Sequence, residues 1–251
     1  MTQSMDGKVV LVVGGSGSIG ATSARKFAEL GARVAVSHRD VPGEAAAAAK
    51  VMQSLPGEGH AALIADVSRT DTLKALRIEI ERRFGRLDVL VNAAGFTRPV
   101  PHADLEALDD DLIDRMFEVN WRGQFATIRT FTPLLKASGD GLIVSISSIA
   151  GTNGIGSSIA YCAAKAGIDV MTKSLARVLA PEVRVLAVAP GVVDTNFVPG
   201  RGADFNTRTA ATTPLKRIAT ADDIASAILA CATQLGFATG TTFVVDGGRL
   251  L

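Results

Sequence analysis

Tyr161 and Lys165 are the residues of this sequence whose types and spacing most directly suggest chemistry. Tyr161 is the only tyrosine among 251 residues. The segment 157–180 has no internal proline and carries apolar residues at Ile168, Met171, Leu175 and Leu179, a helical spacing. Positions four apart on a helix lie about 40° apart around the axis and one turn apart along it, so a phenol and an ammonium can reach one point in space. A neighbouring ammonium favours the phenolate and lowers a tyrosine pKa from about 10 toward working pH. Such a phenol exchanges protons with the oxygen of a carbonyl or an alcohol. The plain alternative is a helical tyrosine with a solvated lysine one turn on, so the pair needs support from the rest of the chain.

A second stretch supplies it. The β-branched run 9–13 leads directly into Gly14-Gly15-Ser16-Gly17-Ser18-Ile19-Gly20, and a helical segment follows to about Leu30. Gly15 to Gly20 satisfies G-x-G-x-x-G between a strand and a helix. Glycines there allow a sharp turn and close approach of the backbone to a pyrophosphate, whose charge meets N–H groups at the helix start. A glycine-rich turn without a ligand is the bland reading, and the strand–turn–helix context favours a dinucleotide site.

The elements that must position these groups follow from the pattern. Strands are expected at 9–13, 33–37, 61–65, 87–91, 142–147, 183–188 and 242–245. Helices are expected at 45–55, 70–84, 108–136, 157–180 and 222–235, besides the one after the glycine turn. This alternation predicts an α/β protein, a Rossmann-type doubly wound parallel sheet of about seven strands with helices on both faces. No linker or repeat divides the chain, so 1–251 reads as a single domain. The stretch 196–213 loses its periodicity and reads as an irregular lid over the site.

Composition narrows the function classes. A net charge of +1 without a long basic run gives no electrostatic case for nucleic acid or an anionic membrane. Two cysteines make no disulfide framework, and three scattered histidines make no metal site. The first apolar run is too short for a secretory or membrane segment, so a cytoplasmic, soluble protein is expected.

With these residues assembled, the chain resembles the short-chain dehydrogenase/reductase family over essentially its whole length. Gly14 and Gly20 match the family's glycine turn, with Val13 in place of its threonine, Ser18 in place of its middle glycine, and Gly17 one position earlier. Asp66-Val67 resembles its adenine-contacting pair, and Asn92-Ala93-Ala94-Gly95 its N-A-A-G signature. Asn120 stands where the family has a catalytic asparagine. Ser148 precedes Tyr161 by thirteen residues, the family's serine-to-tyrosine interval, and Tyr161 with Lys165 matches its Y-x-x-x-K. Pro190-Gly191-Val192-Val193-Asp194-Thr195 matches P-G-x-x-x-T, which borders the nicotinamide. The tail from Pro214 to Gly248 is similar to that of 3-oxoacyl-carrier-protein reductases.

The resemblance implies a hydride-transfer enzyme. Tyr161 would protonate the substrate oxygen, Ser148 would hydrogen-bond it, and Lys165 would lower the Tyr161 pKa and hold the nicotinamide ribose. Asn120 would anchor a water passing protons to Lys165. Cofactor contacts are expected from Gly14, Ser16, Ser18, Ile19, Gly20, His38, Arg39, Asp66, Val67, Asn92, Ala93, Gly95, Tyr161, Lys165, Pro190, Gly191, Val193 and Thr195. The activity expected is reduction of a ketone or 3-oxoacyl group, the alternatives being oxidation of an alcohol or cyclic polyol and, without catalysis, dinucleotide sensing. Retention of Ser148, Tyr161 and Lys165 favours an enzyme over a sensor.

By the register of the family it resembles, His38 at the end of the second strand occupies the position where an acid would select NAD, and Arg39 follows it, where NADP-dependent members often carry an arginine. NADP(H) is therefore favoured over NAD(H), with Asp40 expected beyond the strand and in solvent. Phe197, Val198 and Phe205 offer apolar contacts to the small carbonyl or alcohol substrate, and Arg201 and Arg208 could meet an anionic group. A homotetramer is expected from the family and from the apolar content of the two long helices.

Overall fold

The computed structural model describes residues 4–202 and 204–251. Seven strands form one parallel sheet: β1 (Val9–Val13), β2 (Arg33–His38), β3 (Ala61–Ile64), β4 (Val89–Asn92), β5 (Gly141–Ile146), β6 (Val183–Pro190) and β7 (Thr242–Val245). Their order is β3-β2-β1-β4-β5-β6-β7. The sequence runs outward from β1 in one direction, returns to β4 and runs outward in the other. Between β1 and β4 the order reverses, and in such sheets ligands bind at the carboxyl ends of the strands flanking that point.

The β-branched runs form strands because side chains on both faces find apolar cover. Val9, Leu11 and Val13 pack with Leu73, Ile80, Ile128, Phe131 and Ile168. Val10 and Val12 point the other way, against Ala24, Phe27, Val51, Ile224 and Ile228. The first set belongs to α3 (Thr70–Phe84), α5 (Gly123–Ala137) and α7 (Ile159–Leu179). The second comes from α1 (Ser18–Glu29), α2 (Pro42–Ser54) and α9 (Ala221–Thr233). The period-two alternation thus divides the core into two layers, as a doubly wound sheet requires.

Two expectations are corrected. The helix expected over 108–136 is a composite of α4 (Asp110–Phe117), a π turn (Glu118–Arg122) and α5. Asp109 caps it, its carboxylate accepting from Leu112 N at 2.7 Å. The π turn falls on Asn120, whose buried amide bonds outside the helix, and such a tertiary demand leaves no periodic trace. The stretch 196–213 is not wholly irregular either, because it contains α8 (Phe205–Thr212). That helix is rich in threonine and buries only Thr209, so it lacks the apolar stripe by which a helix is read. A short turn, α6 (Ala150–Asn153), also precedes α7.

Candidate active site

The glycine turn leaves the end of β1 under tight steric limits. Gly14 has φ +77°, and a Cβ there would lie 2.6 Å from Ala94 N. A Cβ on Gly20 would lie 2.4 Å from Gly14 O. Turn, helix start and the loop after β4 are therefore packed backbone to backbone. Gly17 is different: its Cβ would meet only Gly14 O, at 3.5 Å. No side chain caps α1, so the N–H groups at its start are left for a ligand on the cleft side. This cradle fits a dinucleotide pyrophosphate.

Opposite stands α7. Ser158 caps it, its hydroxyl accepting from Tyr161 N at 3.2 Å, which fixes Tyr161 in the first turn. Gly151 lets the α6 turn lie against α7, since a Cβ there would come within 2.6 Å of Ala166 N. That contact brings Ser148 beside Tyr161. Ser148, Tyr161 and Lys165 line a cleft of about 890 Å³ together with Ser18, Ile19, Gly20, Ala93, Gly95, Pro190, Gly191, Val193 and Thr195. Gly14 and Ser16 belong to the turn beneath, outside the cleft lining.

The electrostatics depart from the simple pair. Burial pushes the Tyr161 phenol up to about 12, while the adjacent Ser148 hydroxyl and the Arg201 charge pull it back. The neighbouring Lys165 does not bring the phenol down toward neutral pH as expected. Its ammonium lies over the ring face, 5.6 Å from the centroid, and donates to Ile146 O at 2.7 Å. Burial lowers Lys165 itself to about 8, with Asp169 acting in the opposite direction. The phenol is thus protonated at neutral pH, a proton donor ready for a carbonyl oxygen.

Asn120 lies in the π turn. It is wholly buried; its Nδ2 donates to Phe96 O at 2.8 Å and to Met116 O at 2.9 Å, and its Oδ1 accepts from Phe96 N at 3.0 Å. The side chain ties the loop after β4 to the π turn. Its side-chain amide is thus taken up by backbone groups of Phe96 and Met116. Asn92 is buried at the end of β4, its Nδ2 3.4 Å from Ser145 Oγ and its Oδ1 without a hydrogen-bond partner among the described residues.

The remaining expected residues gather at the ends of β2 and β3. Burial would raise Asp66, but the Ser68 hydroxyl and N–H, both bonded to its Oδ1, hold it below its ordinary value. Val67 packs against the start of α5, where a Cβ on Gly123 would lie 2.9 Å from Val67 Cγ2. His38 is buried, its Nδ1 2.8 Å from Arg39 O. Arg39 is not free: its Nε donates to Glu44 Oε1 at 2.8 Å, its backbone N–H to Oε2 at 2.8 Å, and a second guanidinium nitrogen also pairs with Glu44. Asp40 is exposed beyond the strand end.

The substrate side carries Phe197, its ring centroid 6.2 Å from that of Tyr161, with Val198, Arg201 and Phe205. Arg208 is exposed and outside the lining. Arg249, not anticipated, does line it. The signal lay in strand adjacency: Pro190 pairs with Val245, so the turn after β7 must lie beside the exit of β6.

Comparisons with known proteins agree with this geometry. A family model described as enoyl-(acyl carrier protein) reductase matches residues 14–249. The chain is 39% identical to a protein named as ketoacyl reductase 2 of the granaticin polyketide synthase of Streptomyces violaceoruber, over 100% of this chain and 99% of that one. It is 38% identical to a cis-4-hydroxycyclohexanecarboxylate dehydrogenase of Sinomonas cyclohexanicum, over 96% of each. It is 34% identical to a 3-oxoacyl-acyl-carrier-protein reductase of Staphylococcus aureus, over 97% and 98%. A crystal structure of a short-chain dehydrogenase/reductase from Brucella melitensis superposes with TM-score 0.89 at 30% identity, over 99% and 98%. The family's enzymes are oxidoreductases using nicotinamide cofactors on small molecules, and no helix among the described residues is long and apolar enough to cross a membrane. With the glycine cradle and the Ser148–Tyr161–Lys165 wall facing one cleft, the chain belongs to the short-chain dehydrogenase/reductase family.

Proposed function

We propose that this oxidoreductase interconverts a ketone or 3-oxoacyl group and its secondary alcohol, with Tyr161 as the proton donor and acceptor. The observation that carries this reading is the placing of Ser148, Tyr161 and Lys165 on one wall of the cleft that the glycine turn also lines. A nicotinamide held in the cleft would supply hydride to the carbonyl carbon, or take it from the alcohol. Tyr161 gives its proton to the carbonyl oxygen, and Ser148 hydrogen-bonds that oxygen as charge develops on it. Lys165 keeps a positive charge beneath the ring and holds the nicotinamide ribose. Pro190, Gly191, Val193 and Thr195 border the nicotinamide, and Asn92, Ala93 and Gly95 the ribose beside it. Gly14, Ser16, Ser18, Ile19 and Gly20 hold the pyrophosphate, and Asp66 and Val67 the adenine. The segment 196–213, including α8, acts as a lid. Oxidation of a cyclic secondary alcohol is the second reading, favoured by the 38% identity to the cyclohexanecarboxylate dehydrogenase. The test is a panel of 3-oxoacyl thioesters, simple ketones and cyclic alcohols, followed through cofactor absorbance in both directions. Binding of dinucleotide without turnover of any carbonyl or alcohol would overturn the reading in favour of a sensor.

NADP(H) is the proposed cofactor, with NAD(H) as the alternative. His38 brings no negative charge to the end of β2, and Arg39 is the group there able to pair with a 2′-phosphate. Glu44 now holds that guanidinium, and the phosphate would have to displace or share it. Two variants separate these effects. Arg39→Ala should lose kcat/KM selectively with NADPH, by about 1–3 kcal/mol for a charge-assisted contact. Glu44→Gln should shift the preference further toward NADPH, by removing a carboxylate that competes for Arg39. Equal effects on both cofactors would show that neither residue meets the phosphate.

A homotetramer is also proposed. Val170 and Val178 on α7 are 62% and 67% exposed, and Phe117 on α4 is 37% exposed. These apolar side chains suit burial against second copies. Light scattering at micromolar concentration should give about four times the chain mass, and a monomeric mass would refute the assembly. The thiols of Cys162 and Cys231 are both buried and unpaired, which suits the reducing cytoplasm proposed as its location.

A further inference from the structure

Three cations line the cleft, Lys165, Arg201 and Arg249, and among the described residues no aspartate or glutamate does. Lys165 has a place in the proposed chemistry; the two arginines do not. Arg201 is half-buried, its guanidinium 4.5 Å from the centroid of the Phe205 ring, with Nη1 donating to Val193 O at 3.2 Å. It makes no ion pair among the described residues. Asp194, whose charge it senses, instead accepts from Asn206 Nδ2 at 2.8 Å. Arg249 donates through Nη1 to Thr213 Oγ1 at 2.9 Å and Thr209 O at 3.2 Å, fastening the end of α8 to the turn after β7. It too has no carboxylate partner among the described residues. Arg217, by contrast, is paired with Asp223 at 2.6 Å and lies outside the cleft.

A guanidinium partly withdrawn from water without a counterion is unfavourable, and its planar fork matches a carboxylate. The same cleft lining also carries the apolar Pro99, Ile155, Phe197 and Val198. We propose that this cleft holds a carboxylate-recognition site, so that the substrate is a keto acid or hydroxy acid whose reacting carbon meets Tyr161 while its carboxylate pairs with Arg201, Arg249 lining the same cleft. The proposal rests on the oxidoreductase reading above and names the substrate class for the same site. The phosphate of a long carrier arm shares the anion's chemistry. A carboxylate on a short body fits better, because Arg201 shares one cleft with Tyr161 and its charge is felt at the phenol.

The test compares wild type, Arg201→Met and Arg201→Lys. Turnover is measured on 4-oxopentanoate and 5-oxohexanoate against their methyl esters, and on acetoacetyl-coenzyme A against the neutral acetoacetyl-N-acetylcysteamine. A second arm needs no turnover: calorimetric binding of cyclohexanecarboxylate and cyclohexanecarboxamide to cofactor-saturated protein. Wild type should prefer acid over ester, and carboxylate over carboxamide, by about tenfold or more, the size of a modest ion pair. Arg201→Met should abolish both preferences, and Arg201→Lys should retain part of each. If none of these carbonyls is reduced, the ketone-reductase reading fails, and the binding arm still decides this one. Equal wild-type affinity for carboxylate and carboxamide would overturn it. So would a Met variant that weakens only the coenzyme A thioester, which would assign the arginine to a phosphate. A weaker dinucleotide affinity with the carboxylate preference intact would assign it to the cofactor, and would equally overturn the proposal.

Discussion

Replacement of Tyr161 by Phe is expected to lower kcat by about 10²–10⁴-fold while leaving dinucleotide affinity nearly unchanged. The change removes one hydroxyl and little volume. The ring remains in the first turn of α7 under the Ser158 cap and beside Phe197, so the cleft keeps its shape. What is lost is the proton that must reach the carbonyl oxygen. Burial holds that proton on the phenol up to about pH 12, so near neutrality the wild-type group is fully loaded for reduction. Oxidation of an alcohol needs the opposite state, and its rate should rise with pH as the phenolate becomes accessible. A Phe variant with near-normal turnover would remove Tyr161 from the mechanism.

Lys165→Met is expected to damage two steps at once, lowering kcat by about 10²-fold or more and weakening dinucleotide binding. Lys165 is 3% exposed, and its ammonium is the donor to Ile146 O at 2.7 Å. Its loss leaves that buried carbonyl without this donor, a cost of about 1–3 kcal/mol, so thermal unfolding of the variant should be followed alongside its kinetics. The pH dependence separates the electrostatic part. With its pKa lowered to about 8, Lys165 is charged below that pH and neutral above it. Reduction by wild type should therefore fall as pH rises through about 8, well before the phenol itself titrates. In Lys165→Met that inflection should be missing. A rate defect with unaltered cofactor affinity would show that the lysine does not hold the ribose.

The features readable in the sequence were those written by local rules. The β-branched runs at Val9–Val13 and Thr242–Val245 became strands with those bounds. Gly14 and Gly20 are glycines because neighbouring backbone leaves no room for a Cβ. The i, i+4 spacing of Tyr161 and Lys165 did bring both onto one wall of a cleft. Features set by partners distant in sequence were not readable. The direction of the Lys165 ammonium depends on Ile146 O, a group from β5. The amide of Asn120 is claimed by Phe96, twenty-four residues away. Arg39 read as a free cation for a different reason: Glu44 is only five residues on, but the sequence does not show that the turn into α2 swings it back onto the guanidinium. Arg249 entered the site only through the adjacency of β6 and β7.

The measurement that bears most directly on the whole account is isotopic. Reduced cofactor carrying two deuterium atoms at the nicotinamide C4 is incubated with protein and the carbonyl panel, and the product is examined by mass spectrometry and NMR. The account predicts deuterium on the new carbinol carbon with wild type, and almost none in the same time with Tyr161→Phe, although that variant still binds the cofactor. Cofactor oxidation without deuterium in any product, or equal labelling by both proteins, would contradict it.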